Sequence, residues 1–106
     1  MKAIQIPAKQ TVIDIDIPEP GEPGPGQIKV RVAASSVCNQ HEYKIYNDLY
    51  RGIQKVQYPG APGFPGHEGA GEVIAVGDGV TTHSVGDRVL LTGHCGTLHT
   101  DILVCR

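Results

Sequence analysis

The sequence predicts a mainly β protein, a small and partly open β-barrel with one short helix and long Pro/Gly loops. Segments in which apolar and polar residues alternate recur along the chain, and this period of two is typical of half-buried strands. Turn residues separate these segments, since 14 Gly and 8 Pro are spread among the 106 residues. About six short strands in a chain of this length favour a small barrel over a layered α/β fold.

The first part of the chain holds three predicted strands. The first is Lys2 to Ile6, and a turn over Pro7 to Gln10 joins it to Thr11 to Ile17, where Ile alternates with Asp. The third is Gln27 to Val32, where Ile and Val alternate with Lys and Arg. The residues between the second and third strands, 18–26, are rich in Pro and Gly. Proline removes ladder donors and fixes φ, so this stretch is predicted to be a stiff loop.

The second part predicts one helix, one long loop and three strands. Asn39 to Tyr50 is the only stretch with helical spacing, because its Tyr residues recur three and four positions apart. Tyr58 to Gly66, the Pro/Gly loop, has three Pro and three Gly and cannot continue a helix or strand. Three segments rich in Val, Ile and Leu, separated by Gly-Asp turns, are the remaining strands: Gly71 to Val76, Arg88 to Thr92 and Thr97 to Val104.

Composition excludes several functional classes. Nine Lys and Arg against eleven Asp and Glu give a net charge of −2, so neither a nucleic-acid nor a membrane partner is expected. The sequence has no apolar run near the roughly 18 residues of a membrane span and no signal peptide. Three irregularly spaced cysteines (Cys38, Cys95 and Cys105) argue against a disulfide framework. A cytoplasmic location is expected.

The length permits one domain, residues 1–106. A complete nicotinamide-dependent enzyme is not expected, because a dinucleotide-binding domain needs several βαβ units of about 30 residues each. The sequence also has no G-x-G-x-x-G between a strand and a helix, so nothing in it is expected to hold NAD.

The densest chemical signal lies directly after the Pro/Gly loop. There His67 and Glu68 stand side by side between Gly66 and Gly69, so the backbone can pass close to a site while an imidazole faces it. Such a pair alone is more often a surface turn. The spacing continues, however, with further glycines and a valine, which gives the pattern G-H-E-x2-G-x5-G-x2-V over residues 66–80.

This pattern resembles the signature of the zinc-containing alcohol dehydrogenases of the medium-chain dehydrogenase/reductase family. Residues 25–32 are similar to that family's PGxxxVxV strand, and residues 85–89 to its VGDRV turn. Cys38 stands where the family has its first catalytic-zinc ligand. The resemblance covers nearly the whole chain in the right order, and it implies a GroES-like domain, the N-terminal half of such an enzyme.

The resemblance implies a catalytic Zn²⁺ held by Cys38 and His67, with Glu68 as an alternating ligand or as a partner of the ligands. A catalytic zinc takes about three protein ligands and leaves one position open for water or substrate. As a Lewis acid it would prepare an alcohol or carbonyl substrate for hydride exchange with NAD(P). The family holds that cofactor in a Rossmann domain outside these residues, so the isolated chain is expected to be inactive.

The sequence departs from the family after Cys38. The family has Gly, then Ser or Thr, then Asp, whereas this chain has Asn39, Gln40 and His41. The hydroxyl that starts a proton relay is therefore missing, because the amide of Gln40 does not pass a proton readily. His41 replaces the Asp that orients the zinc-bound His. It either transfers protons, orients the site in its own way, or is a solvated residue at the start of the helix.

A second departure concerns the structural-zinc lobe, for which many family members have four closely spaced cysteines. Here Cys95 alone precedes the last predicted strand, so the lobe is absent or much reduced. His94, Cys95 and His99 could form an adventitious metal site. Cys105 is expected to end a strand without a chemical role.

Two other functions fit the same residues. In the first, the chain is a non-enzymatic GroES-like module that binds a partner or forms a homo-oligomer, because the glycines of the motif serve turns and close strand contacts whatever the function. In the second, it is related to the zinc-free quinone reductases. The pairing of Cys38 with His67 argues against this second function, and side chains pointing to different faces of the barrel would favour it. Whatever the function, Cys38 could also be a small buried apolar residue after its strand.

Overall fold

The computed structural model describes residues 1–92 and 97–106. The described residues form six strands, one α-helix and one 3₁₀ turn: β1 (Lys2–Ala8), β2 (Thr11–Asp16), β3 (Ile28–Ser35), α1 (His41–Tyr46), the 3₁₀ turn (Gly52–Gln54), β4 (Gly69–Val76), β5 (Arg88–Leu91) and β6 (Ile102–Cys105). The predicted mainly β class with one short helix is confirmed. In that described part, no helix has the length and apolar character needed to cross a bilayer.

Two antiparallel sheets make up the fold. β1 and β2 form a hairpin, and the other four strands form a sheet in the order β5-β4-β3-β6. The sheets do not close on each other, which agrees with the predicted partly open barrel. Apolar residues of β3 to β6, together with Leu98 before β6, pack into one core, whereas β2 is mostly exposed. The buried members of this core are Ile28, Val30, Val73, Leu91, Leu98 and Leu103.

The last strand is shorter than predicted, because the residues before it pair elsewhere. The backbone N–H of Leu98 donates to the carbonyl of Gly66, and that of His99 donates to the carbonyl of Gly63. On the other side, the N–H of Ile4 in β1 donates to the carbonyl of His99. Residues 97–101 therefore connect the hairpin, the Pro/Gly loop and the main sheet, and they carry His99 into the space between them.

The helix ends at Tyr46 rather than at Tyr50. Asp48 has a positive φ of 54°, and the N–H groups of Asp48 and Leu49 donate to the carbonyls of Ile45 and Lys44. This is the hydrogen-bond pattern with which a left-handed residue closes a helix, a conformation that Asp tolerates better than most residues. The chain then turns away as an extended loop.

The glycines of the 66–80 motif are required by packing. A β-carbon added at Gly71 would overlap the carbonyl oxygen of Arg31 in the neighbouring strand, and one at Gly77 would overlap the carbonyl oxygen of Gly24. A β-carbon at Gly66 would lie 2.6 Å from the backbone nitrogen of His99. Close backbone approach thus explains these three positions without reference to any ligand.

Candidate functional site

The pairing of β3 and β4 brings the predicted site residues together. These strands are antiparallel, and Ser35 at the end of β3 pairs with Gly69 at the start of β4. The residues just beyond the pair therefore meet at one edge of the sheet. Cys38 follows β3 in the turn before α1, and His67 precedes β4 at the end of the Pro/Gly loop.

Three donor atoms converge at this edge, one each from Cys38, Glu42 and His67. They all lie within 4.8 Å of one another, and we call the three residues the metal group. His67 Nδ1 lies 3.1 Å from the carbonyl oxygen of Pro65. A carbonyl oxygen only accepts, so Nδ1 carries the proton and Nε2 keeps the lone pair that a metal ion needs. Thiolate, imidazole and carboxylate together are a donor set that zinc accepts.

Glu42 is the member of this group that the sequence did not predict. Its carboxylate is buried, and Oε2 accepts the backbone N–H of Cys38 at 2.9 Å. Oε1 lies 4.0 Å from Nδ1 of His67 and 3.2 Å from Nε2 of His99. The available signal was the spacing of four residues between Cys38 and Glu42, which places both on one face where a helix begins.

Glu68 lies on the opposite side of the His67 ring. Its Oε1 is 3.9 Å from Nε2, and its side chain is 61% exposed. The hydroxyl of Ser36 donates to Oε2 at 3.1 Å. Glu68 therefore faces the lone-pair side of His67 from solvent, whereas Glu42 faces the protonated side from the interior.

His41 adjoins the metal group but offers its ring to a different partner. Its backbone N–H donates to the sulfur of Cys38 at 3.4 Å, and its Nδ1 lies 2.9 Å from the hydroxyl of Tyr50. The ring meets that of His67 edge-on, with centroids 5.1 Å apart. His41 also lines a cleft of about 500 Å³ together with Tyr50, Lys55 and Phe64. It is thus placed between the metal group and this cleft.

A second, apolar pocket of about 290 Å³ opens on the other side of α1. Cys38, Asn39, Glu42 and His99 are among its lining residues. The remaining wall is mostly apolar and comes from the hairpin, from α1 with the turn before it, and from the Pro/Gly loop: Ile4, Ile6, Val12, Val37, Tyr43, Tyr46, Phe64 and Pro65. Such a pocket suits the apolar part of a small molecule whose polar end reaches the metal group.

Tyr58 anchors the helix to the Pro/Gly loop. Its hydroxyl donates to the carbonyl of Ile45, the buried aliphatic residue of α1. Burial raises the pKa of the Tyr58 phenol, and the nearby Asp48 carboxylate adds to the increase. Tyr58 therefore keeps its proton and holds α1 in place throughout the neutral range.

The remaining predicted residues are placed as follows. His94 and Cys95 lie outside the described residues, and so does the place at which the structural-zinc lobe was predicted to be absent or reduced. His99 is described, and it contacts Ser35 and Glu42. Cys105 ends β6.

The chain is similar to known dehydrogenases and reductases. A profile described as "Alcohol dehydrogenase GroES-like domain" matches residues 24–103. An alcohol dehydrogenase of Moraxella sp. is 39% identical over 88 residues, which cover 77% of this chain and 23% of that protein. The chain therefore spans about a quarter of the length of this relative.

Solved structures show the same fold. A quinone oxidoreductase of Pseudomonas syringae has a TM-score of 0.72 at 32% identity, covering 97% of this chain and 30% of that one. An alcohol dehydrogenase of a Thermus species has a TM-score of 0.68 at 28% identity, covering 85% of this chain and 24% of that one. Both match along most of the present chain and less than a third of their own.

Proposed function

The chain belongs to the alcohol dehydrogenase GroES-like domain family of the medium-chain dehydrogenases/reductases, and we propose that it is the catalytic-zinc domain of a zinc-dependent alcohol dehydrogenase-like oxidoreductase. In this proposal the domain comprises all of residues 1–106. The observation that supports it is the convergence of the donor atoms of Cys38 and His67, which are 29 positions apart in sequence, within 4.8 Å beside a buried carboxylate.

The proposed ligands are Cys38 and His67, with Glu68 as the carboxylate that alternates with water or substrate. The donor set fits zinc, since it combines a thiolate, an imidazole nitrogen with a free lone pair, and a carboxylate beside that nitrogen. A bound zinc ion would act as a Lewis acid on an alcohol or carbonyl oxygen. The protein's own contribution is to hold these donors at one sheet edge, between the larger cleft and the apolar pocket.

His41 is the proposed catalytic partner of this site. It borders the metal group and the larger cleft, and its Nδ1 contacts the Tyr50 hydroxyl. An imidazole can exchange a proton with a bound substrate or with water, which the amide of Gln40 does not do readily. Gln40 has no hydroxyl that could transfer a proton. We therefore assign the proton transfer to His41.

The whole reaction needs partners beyond these residues. NAD(P) would be held by a Rossmann domain outside residues 1–106, and the substrate is a small alcohol or carbonyl compound. The chain alone is expected to be inactive in hydride transfer. We further propose a cytoplasmic protein with no nucleic-acid or membrane partner, in which copies of the domain can associate as a homo-oligomer.

Metal analysis of the chain purified without chelator tests the zinc site. We expect zinc in the parent, at less than one ion per chain because two strong ligands hold it weakly. Zinc should be lost in Cys38→Ser and in His67→Ala. Cys105→Ser is the matched control and should retain it. A parent without zinc, or a Cys38→Ser variant with as much zinc as Cys105→Ser, would contradict the proposal.

A non-enzymatic GroES-like module is the second candidate. The observation that favours it is that Gly66, Gly71 and Gly77 are explained by backbone contacts alone. Two results together would support it: the parent binds no zinc, and His67→Ala has the same oligomeric state as the parent. The zinc-free quinone reductase hypothesis is less favoured, because Cys38 and His67 on different faces would have supported it and their donor atoms lie within 4.8 Å of each other.

A further inference from the structure

We infer that Glu42 positions the two metal ligands and that Ser35 and His99 hold Glu42 in place. This inference rests on the proposed zinc site and assigns the residues that set its geometry. None of the three belongs to the G-H-E motif, and they come from β3, from α1 and from the segment before β6.

Glu42 is connected to both proposed ligands. Its Oε2 accepts the backbone N–H of Cys38 at 2.9 Å, which fixes the residue that carries the sulfur. Its Oε1 lies 4.0 Å from Nδ1 of His67, the nitrogen that carries the proton. A negative charge on that side favours the proton on Nδ1 and leaves Nε2 free for the metal ion. One buried carboxylate thus influences both ligands.

The other contacts of Glu42 form a continuous hydrogen-bonded chain. Nε2 of His99 lies 3.2 Å from Glu42 Oε1, and Nδ1 of His99 lies 2.8 Å from the hydroxyl of Ser35. An ionised carboxylate only accepts, so Nε2 donates to it, and the Nδ1 of a neutral ring then accepts from Ser35. The side chains of His99 and Glu42 are 11% and 8% exposed, so water competes little for these bonds.

No other described side chain at the site fills this role. His41 occupies the position of the orienting Asp in the family, but its Nδ1 contacts Tyr50 rather than His67. Glu68 is 61% exposed and is bound by Ser36. The carboxylate that position 41 lacks is therefore supplied by Glu42, one residue later.

Cobalt binding to the 106-residue chain tests the inference, because Co²⁺ substitutes for zinc and gives a visible spectrum with a thiolate ligand. Glu42→Gln should weaken Co²⁺ binding by about 10- to 100-fold, with the spectrum at saturation unchanged because Cys38 and His67 remain. Ser35→Ala should weaken binding less, and Ser35→Thr should restore it. Glu72→Gln, which removes an exposed carboxylate from β4, is the control and should bind as the parent does.

Two results would overturn the inference. If Glu42→Gln binds Co²⁺ as tightly as Glu72→Gln does, Glu42 positions nothing. If the saturated spectrum of Glu42→Gln differs from that of the parent, Glu42 is itself a ligand. The free energy of unfolding of each metal-free variant, measured in urea, shows whether a weaker binder is still folded.

A metal-free measurement separates this inference from the zinc proposal. In the ¹⁵N NMR spectrum of the parent, we expect the proton of His99 on Nε2 and that of His67 on Nδ1. Glu42→Gln should shift His67 toward a mixture of the two tautomers. If the parent binds no Co²⁺ but shows these tautomers, the zinc site is refuted and the hydrogen-bonded chain is not. A parent with the His99 proton on Nδ1 refutes the hydrogen-bonded chain.

Discussion

The main sheet and the segment that joins its central strands differ in what holds them together. The sheet region, formed by β3 to β6, packs aliphatic residues such as Val30 and Val73, which are fully buried. The site segment, residues 36–68, is described throughout, and Ile45 is its only buried Val, Leu or Ile. Its other buried side chains include the charged Glu42. Apolar burial therefore stabilises the sheet region, whereas polar contacts hold the site segment.

This difference separates stability from chemistry. Apolar packing has no direction, so the sheet region gives a firm edge where Ser35 pairs with Gly69. Hydrogen bonds have direction, and in the site segment they decide which nitrogen or oxygen faces the metal group. Substitutions in the sheet region should therefore lower the free energy of unfolding. Substitutions in the site segment should mainly alter metal binding.

The largest effect on stability is expected for Leu98→Ala. Leu98 is fully buried in the core of the sheet region, and truncation leaves a cavity that costs about 3 kcal/mol in the free energy of unfolding. Leu90 is 84% exposed, so Leu90→Ala should change this energy by less than about 0.5 kcal/mol. Urea unfolding of both variants measures the difference. Equal effects would show that Leu98 is not part of a packed core.

Gly71→Ala should have a smaller effect on the same region. The added methyl group would overlap the carbonyl oxygen of Arg31, so β3 and β4 must separate locally. Overpacking of this kind costs about 2 kcal/mol. Gly21→Ala is the control, since nothing lies within 4 Å of a β-carbon there. If Gly71→Ala is as stable as Gly21→Ala, the glycine is not required by packing, and a ligand-based reason for it must be sought.

Most of the sheet region could be predicted from the sequence. Alternating residues located four of the six strands within two residues at either end, because a period of two is a local property. β3 continues three residues beyond the predicted end, to Ser35. The last strand was predicted too long, since residues 97–101 pair instead with β1 and the Pro/Gly loop. Whether an extended segment joins a given sheet depends on tertiary contacts, which periodicity does not contain.

The site could be predicted in part. The motif and its spacing indicated Cys38 and His67, and the structure brings their donor atoms together. Glu42 and His99 were not identified as members of the site, because a Glu in a predicted helix and a His in a predicted strand are ordinary residues in sequence. Their contact joins residues 57 positions apart. Only the fold shows that this Glu is buried.

The smallest effect is expected for Tyr58→Phe, which tests whether polar contacts hold the site segment. Loss of the hydrogen bond to Ile45 should lower the free energy of unfolding by about 1 kcal/mol at neutral pH. This difference in stability between the parent and Tyr58→Phe should disappear at alkaline pH. Burial raises the pKa of Tyr58, so above about pH 10 the unfolded chain loses this proton while the folded chain keeps it, and stability falls as the pH rises.

Above about pH 10, the stability of Tyr58→Phe should therefore decline less steeply with pH than that of the parent. Urea midpoints measured from neutral to alkaline pH give both quantities. Tyr43→Phe is the matched control, because Tyr43 lies on α1 with 59% of its surface exposed, and its decline should follow that of the parent. If Tyr58→Phe declines as steeply as Tyr43→Phe, folding does not raise the pKa of the Tyr58 phenol. The anchoring of α1 would then depend on Ile45 packing alone, and the contrast between the two regions would be weaker.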